Sequence, residues 1–175
     1  MEYRVYLRAF MPDDYKTSIQ WRNDEEIWRQ LGGVRYYVSE IYEKKWIEDA
    51  IFDTKNVRLA VCLKEDDSYI GNVYLTDLNL TSRSAVSHVF IGNKEQWGKG
   101  LATEAYQLLL EYAFQERGLH SIRAFILEDN VASCRLHEKC GYSRDGILRE
   151  SVFKKGRWQN QVIYTILEGE YRNKH

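Results

Sequence analysis

Trp97-Gly98-Lys99-Gly100-Leu101-Ala102-Thr103-Glu104-Ala105 is the stretch on which the reading of this chain turns. Before it, residues 86–91 alternate as a strand would. After it, Leu101, Ala105, Leu108, Leu109 and Tyr112 fall on one helical face, and Gly118 stops the run. The two glycines between them permit backbone dihedrals that other residues avoid and let a ligand approach the main chain. The first turn of a helix carries N–H groups without partners inside the helix, at the positive end of its dipole. That combination suits a phosphate or pyrophosphate. The spacing is neither the longer loop ending in Gly-Lys-Ser/Thr nor the GxGxxG of dinucleotide sites. By itself it reads equally as an anion cradle or as a tight strand-to-helix turn.

Downstream, residues 122–127 read as a second strand, so the helix becomes a crossover between two strands. Asn130-Val131-Ala132-Ser133-Cys134-Arg135-Leu136-His137-Glu138-Lys139-Cys140-Gly141-Tyr142 follows. Asn130 can cap a short helix over 131–139, and Gly141 closes it. Asn130, Ser133 and His137, three and four apart, share one face; Leu136, Cys140 and Tyr142 are expected to bury the other. Residues 146–153 and 162–167 make a terminal hairpin whose loop, KKGRWQNQ, looks rather long. Upstream, residues 3–10 form a strand and Pro12 opens a helix over 13–23. Residues 28–38 look irregular, and Ser39 caps a helix ending near Asp53. A hairpin of residues 57–63 and 69–75 turns at Asp66-Asp67-Ser68. The pattern is α+β in one domain, 1–175, without repeats or an internal linker.

Composition narrows the function classes. With 25 Lys plus Arg against 26 Asp plus Glu, the net charge of -1 argues against a broad nucleic-acid surface. The 44% hydrophobic content excludes a largely disordered chain. No apolar run approaches the roughly 20 residues that span a bilayer, and the charged, alternating start does not read as a signal peptide. Cys62, Cys134 and Cys140 make no disulfide framework, so a reducing, cytoplasmic setting is expected. His88, His120, His137 and His175 lack metal-ligand spacing, and no metal is expected. The 5 Trp and 13 Tyr exceed what a small core hides; an acceptor cleft or a homodimer contact would use the surplus.

The glycine turn and the Asn130–Tyr142 segment together resemble the GNAT superfamily of acetyl-CoA-dependent N-acetyltransferases. WGKGLA is similar to its pyrophosphate turn, with Trp97 in the place of Gln or Arg. NVASCRLHEKCGY resembles Asn-x-x-Ser-x-x-Leu-x-x-Lys-x-Gly-Phe/Tyr of the ribosomal-protein (RimJ/RimL-like) branch, and GILRESVFKKGRWQNQVIYTIL its last two strands. The resemblance spans essentially the whole chain. It implies a GNAT-like fold, a mixed, mostly antiparallel sheet of about seven strands splayed at the centre and flanked by helices. Acetyl-CoA would enter between strands 86–91 and 122–127. The amides of Trp97, Gly98, Lys99, Gly100, Leu101 and Ala102 would hold the pyrophosphate. Asn130 and Ser133 would contact the coenzyme, and the backbone of Phe90 and Ile91 would orient the pantetheine arm and thioester.

An amine attacks a thioester only when unprotonated, and an alkylamine has a pKa of about 10.4. The site therefore needs a proton route and donors for the developing oxyanion. His137 stands where many members carry a tyrosine acid, so an imidazolium is expected to protonate the leaving thiolate. His88, mid-strand, is expected to take the amine proton, with Tyr74 and Asp77 as weaker members of a water chain. Ser87 stands near where relatives often carry a glutamate. Cys134 has no His–carboxylate dyad and is set aside as a nucleophile. Asp24, Glu25, Glu26, Glu40 and Glu43, with Trp28, Tyr36 and Tyr37, suggest a roof that attracts a cationic amine. Lys154, Lys155, Arg157 and Trp158, on the hairpin that completes the roof, would meet a ribosomal or acidic partner or the 3′-phosphate side of the coenzyme. The acceptor is expected to be a protein N-terminus or a small cationic amine. GRWQNQ also resembles the closing strand of spermidine acetyltransferases, which is the alternative. A degenerate, coenzyme A-binding regulator is the alternative of another class.

Overall fold

The computed structural model describes residues 2–33 and 35–173; Met1, Val34, Lys174 and His175 lie outside the described residues. The elements in chain order are β1 (Val5–Ala9), a 3-10 turn (Pro12–Asp14), α1 (Tyr15–Asn23), α2 (Glu25–Gln30) and α3 (Glu40–Phe52). Then come β2 (Val57–Leu63), β3 (Tyr69–Asn79), β4 (Ser84–Ile91), α4 (Leu101–Glu111) and β5 (Ser121–Leu127). The chain closes with α5 (Val131–Cys140), β6 (Ser143–Lys154), β7 (Arg157–Leu167) and α6 (Glu168–Arg172). All seven strands join one sheet in the order β1-β2-β3-β4-β5-β7-β6. Every neighbouring pair is antiparallel except β4 and β5.

That exception shapes the molecule. The parallel ladder runs from Ser84↔Ser121 through Val86↔Arg123 and stops. β4 continues to Ile91 and β5 to Leu127, each paired only on its outer side. The sheet therefore opens into a fork. A helix sits behind the closed end because a parallel connection needs a crossover. Leu101, Ala105, Tyr106, Leu109 and Leu110 of α4 are fully or nearly buried against Val61, Val73, Leu75, Ala85, Ile122 and Ile166. Each such aliphatic side chain contributes about 1.5–3 kcal/mol on leaving water. Strand alternation sends Ala60 and Cys62 to the opposite face, where they meet Phe10, Tyr15, Ile47 and Ala50 beneath α1 and α3.

Two sequence expectations need correction. Residues 28–38 are not wholly irregular: α2 forms because Asp24 accepts from the amides of Glu26 and Ile27, and Glu25 and Glu26 favour its first turn. The last hairpin has no long loop. Lys155 and Gly156, with φ of +51 and +75, form the whole turn, and Arg157, Trp158 and Gln159 pair with Lys154, Phe153 and Val152. Polar side chains are tolerated at the start of β7 because the β5 ladder reaches only to Leu127↔Gln161, so residues 157–159 pair on the β6 side alone. None of the described helices is long and apolar enough to cross a membrane.

Candidate active site

The turn entering α4 is built from backbone. Gly98 and Gly100 have φ of +75 and +82, left-handed values that a side chain would resist. Residues 98–100 are exposed. The amides of residues 98–102 have no acceptor among the described residues, and Gly100 as N-cap supplies no side chain to take one. Glu104, which would repel an anion from this helix end, is turned aside by Arg4. The Arg4 Nε and amide each donate to its carboxylate at 2.8 Å, and the Arg4 guanidinium also donates to the Lys99 carbonyl at 2.7 Å. The Trp97 indole donates to the Ile91 carbonyl at 2.7 Å and fixes the loop at the tip of β4. A cavity of about 480 Å³ opens here, between Phe90, Ile91 and residues 97–98 and 100–103 on one side and Asn130, Ser133, Arg135 and Lys139 on the other. Free amides, a helix N-terminus and two cations fit a diphosphate.

The fork leads to a second cavity of about 710 Å³. The two share Ile27, Gln30, Leu31, Val89, Phe90, Asn130 and Ser133, so they meet in the gap between β4 and β5. Asn130 caps α5, accepting from the Ser133 amide at 3.1 Å, and donates to the Gln30 carbonyl at 3.0 Å. It thus joins α5 to α2. His137 is buried rather than solvated. Its Nδ1 lies 2.8 Å from the Ser133 carbonyl, which can only accept, so Nδ1 carries the proton and Nε2 is bare. Tyr106, Tyr142 and Tyr164 surround the ring. Desolvation pushes its pKa down to about 4, against the opposing Ser133 bond. At neutral pH this side chain has no proton to give a thiolate, contrary to the imidazolium acid read from the sequence.

Ser87 faces the wrong way for a base. Its hydroxyl lies 3.1 Å from the Arg123 carbonyl at the root of the fork and meets the hydroxyls of Tyr106 and Tyr142. Alternation puts His88 on the opposite, open side, with Nε2 3.0 Å from Thr76 Oγ1. Partial desolvation lowers the His88 pKa, and Asp77 opposes that shift.

The acidic roof is not acidic toward the cavity. Asp24 and Glu26 bind Lys94 at 2.8 and 3.0 Å. Glu25 meets Lys155 and Arg29 at 2.8 and 3.1 Å, and Lys155 first of all holds its pKa at about 2. Glu43 is fully buried beside Ser18, with Arg22 at 3.4 Å. Among the described residues, Asp77 is the only carboxylate on the wall, beside Trp21, Trp28, Tyr36, Tyr74, Phe90 and Phe125. Lys154, Lys155 and Arg157 line a separate recess with Asp129.

A model of the acetyltransferase (GNAT) domain matches residues 4–143. The chain belongs to the GNAT acetyltransferase family. A probable N-acetyltransferase of Bacillus subtilis, YjcK, is 30% identical to this acetyltransferase over 93% of each chain. A spermidine N(1)-acetyltransferase of Vibrio cholerae is 29% identical over 99% of each. A crystal structure of the Vibrio cholerae spermidine N-acetyltransferase with CoA and spermine superposes with a TM-score of 0.89 at 28% identity, covering 97% of this chain and 99% of that one. These matches overturn the ribosomal-protein branch expected from Trp97 and NVASCRLHEKCGY. Those residues belong to the coenzyme-side turn and helix, and such a scaffold does not specify the acceptor.

This GNAT acetyltransferase is an acetyl-CoA-dependent enzyme that acts on an amine. The regulator reading is set aside.

The sequence placed Lys154 on the hairpin beside the roof but did not reveal what it does there. The side chain is 4% exposed and caps α2 from the far hairpin. Its ammonium donates to the carbonyls of Trp28 at 2.7 Å, Arg29 at 2.9 Å and Leu31, and lies 4.5 Å from the Trp28 ring centre. Burial lowers its pKa to about 8, while the carbonyls favour the charged form. With Asn130 on Gln30, the carbonyls of residues 28–31 are all taken. Gly32 and Gly33 follow the C-cap Leu31 but take no left-handed φ, so the last carbonyls of the helix need outside donors.

Proposed function

We propose that this enzyme acetylates a primary amine of a small cationic acceptor of the polyamine class. The observation that carries the reading is one continuous channel, from a diphosphate cradle through the fork into an aromatic cavity holding a carboxylate. Kinship with spermidine acetyltransferases over nearly the whole length supports the acceptor class. The cavity is walled by α2, the segment around Tyr36 and β7, which suits a slender amine better than a folded protein's terminus.

Backbone amides of residues 98–102 hold the diphosphate, and the β4 edge at Phe90 and Ile91 orients the pantetheine arm. The thioester supplies the acetyl group. His88, backed by Thr76, accepts the proton that the amine loses, through water. The amine nitrogen forms the new bond to the acetyl carbon, the carbon–sulfur bond breaks, and the thiolate takes a proton from water. Coenzyme release measured with polyamines, aminoglycosides and N-terminal peptides tests the assignment. Turnover is expected with the polyamines; turnover restricted to peptides would refute it.

A further inference from the structure

We propose that Asp77 anchors a single non-reacting ammonium group of the acceptor, so that the site reads one charge beside the attacking nitrogen and gains nothing from more. This rests on the amine-acetyltransferase reading above and specifies what its acceptor cavity selects.

Three observations converge. First, Asp77 is the only carboxylate lining that cavity among the described residues, and it makes no hydrogen bond or ion pair with them. Every acidic residue of α2 and its cap is already neutralised by a lysine or arginine. Second, β3 bulges between Thr76 and Asn79, and Asp77 sits in the bulge with φ of +51. A bulge re-aims a side chain out of the strand's alternation, and a non-glycine residue in the left-handed region is conformationally costly. The carboxylate is thus delivered to the cavity next to Thr76 and His88. Third, beyond Asp77 the wall offers no second carboxylate among the described residues, and nearby cations already occupy part of it. Arg22 lines the wall, and the Lys154 ammonium lies against the Trp28 ring.

The attacking nitrogen must be neutral, so a carboxylate beside it serves a second nitrogen. That chemistry describes a diamine end. A third or fourth ammonium extends past Asp77 with no partner waiting for it.

The test compares an alkyl monoamine, a diamine of equal chain length, spermidine and spermine, with wild type and Asp77→Asn. Asparagine tolerates the left-handed backbone and keeps the shape while removing the charge. For wild type, kcat/KM for the diamine exceeds that of the monoamine at least tenfold, and spermidine and spermine stay within threefold of the diamine. Asp77→Asn lowers the diamine-to-monoamine ratio of kcat/KM about tenfold, through KM for the diamine; the ratio cancels the change in His88 basicity that loss of the Asp77 charge brings to both substrates. Glu25→Gln leaves all four unchanged. Equal losses on monoamine and diamine in Asp77→Asn, or a spermine preference above tenfold, would overturn the proposal while leaving amine acetylation standing. No turnover of any amine, with acetyl-CoA still bound, would overturn both.

Discussion

The two ends of the channel are made of different material. At the proposed coenzyme end, the binding groups on offer are main chain: five free amides, two left-handed glycines and a helix dipole. At the acceptor end it is side chain, gathered from α1, α2, β3, β4, β5, α5 and β7. Main-chain recognition depends on where the backbone turns, so it survives wide sequence change and leaves a local mark. Side-chain recognition depends on which charges remain free after their neighbours have paired. The carboxylates of α2 were paired; Asp77 was not.

The contrast can be broken most forcefully at His137. Its folded pKa of about 4 lies below the unfolded value of about 6.5. Between those values the unfolded chain binds a proton that the folded protein refuses, so stability falls as pH drops from 6.5 to 4. The loss attributable to this residue is about 3 kcal/mol. Urea unfolding of wild type and His137→Phe at stepped pH checks it: the wild type should lose stability over that window and the variant much less. Parallel curves would mean that the ring is protonated when buried, which would restore it as an acid.

Next in size is the cradle. At Gly100 an added Cβ meets nothing closer than 3.7 Å, the Arg4 guanidinium, so Gly100→Val is penalised by backbone conformation rather than by space. A left-handed β-branched residue costs about 1–3 kcal/mol, enough to weaken acetyl-CoA binding by roughly tenfold to a hundredfold. Calorimetric titration should show that loss, with KM for the amine little altered. Unchanged coenzyme affinity would count against a main-chain site.

A smaller effect belongs to the acceptor roof. Lys154→Met strands the carbonyls of Arg29 and Leu31 at the end of α2, while that of Trp28 keeps the Leu31 amide. Net destabilisation of about 1–3 kcal/mol is expected, together with faster amide exchange across α2 and a raised KM for the amine. Exchange unchanged across α2 would show that the hairpin does not hold the roof.

These differences explain what could be read in advance. The crossover and the glycine turn follow from periodicity and glycine placement within a few residues of one another, whereas the fork was expected only from the family resemblance. The six residues of α2 are too few to establish a period, and the donor completing the helix lies 126 residues from Trp28. The tight Lys155–Gly156 turn was obscured because the polar residues at the start of β7, beyond the reach of β5, look like loop. Ser87 could be placed on a strand, but not opposite Tyr106 and Tyr142. The acid-rich run at 24–26 was visible, but its lysine partners come from the β6–β7 turn and the segment after β4.

The central claim is that unpaired amides at the entry to α4 hold the diphosphate of the coenzyme. Amide resonances of Gly98, Lys99, Gly100, Leu101 and Ala102, followed during titration with coenzyme A and separately with pantetheine, measure this directly. The structure predicts large shifts at these five positions with coenzyme A and little change with pantetheine, which has no diphosphate. Saturable coenzyme A binding that leaves these five amides unmoved would contradict it.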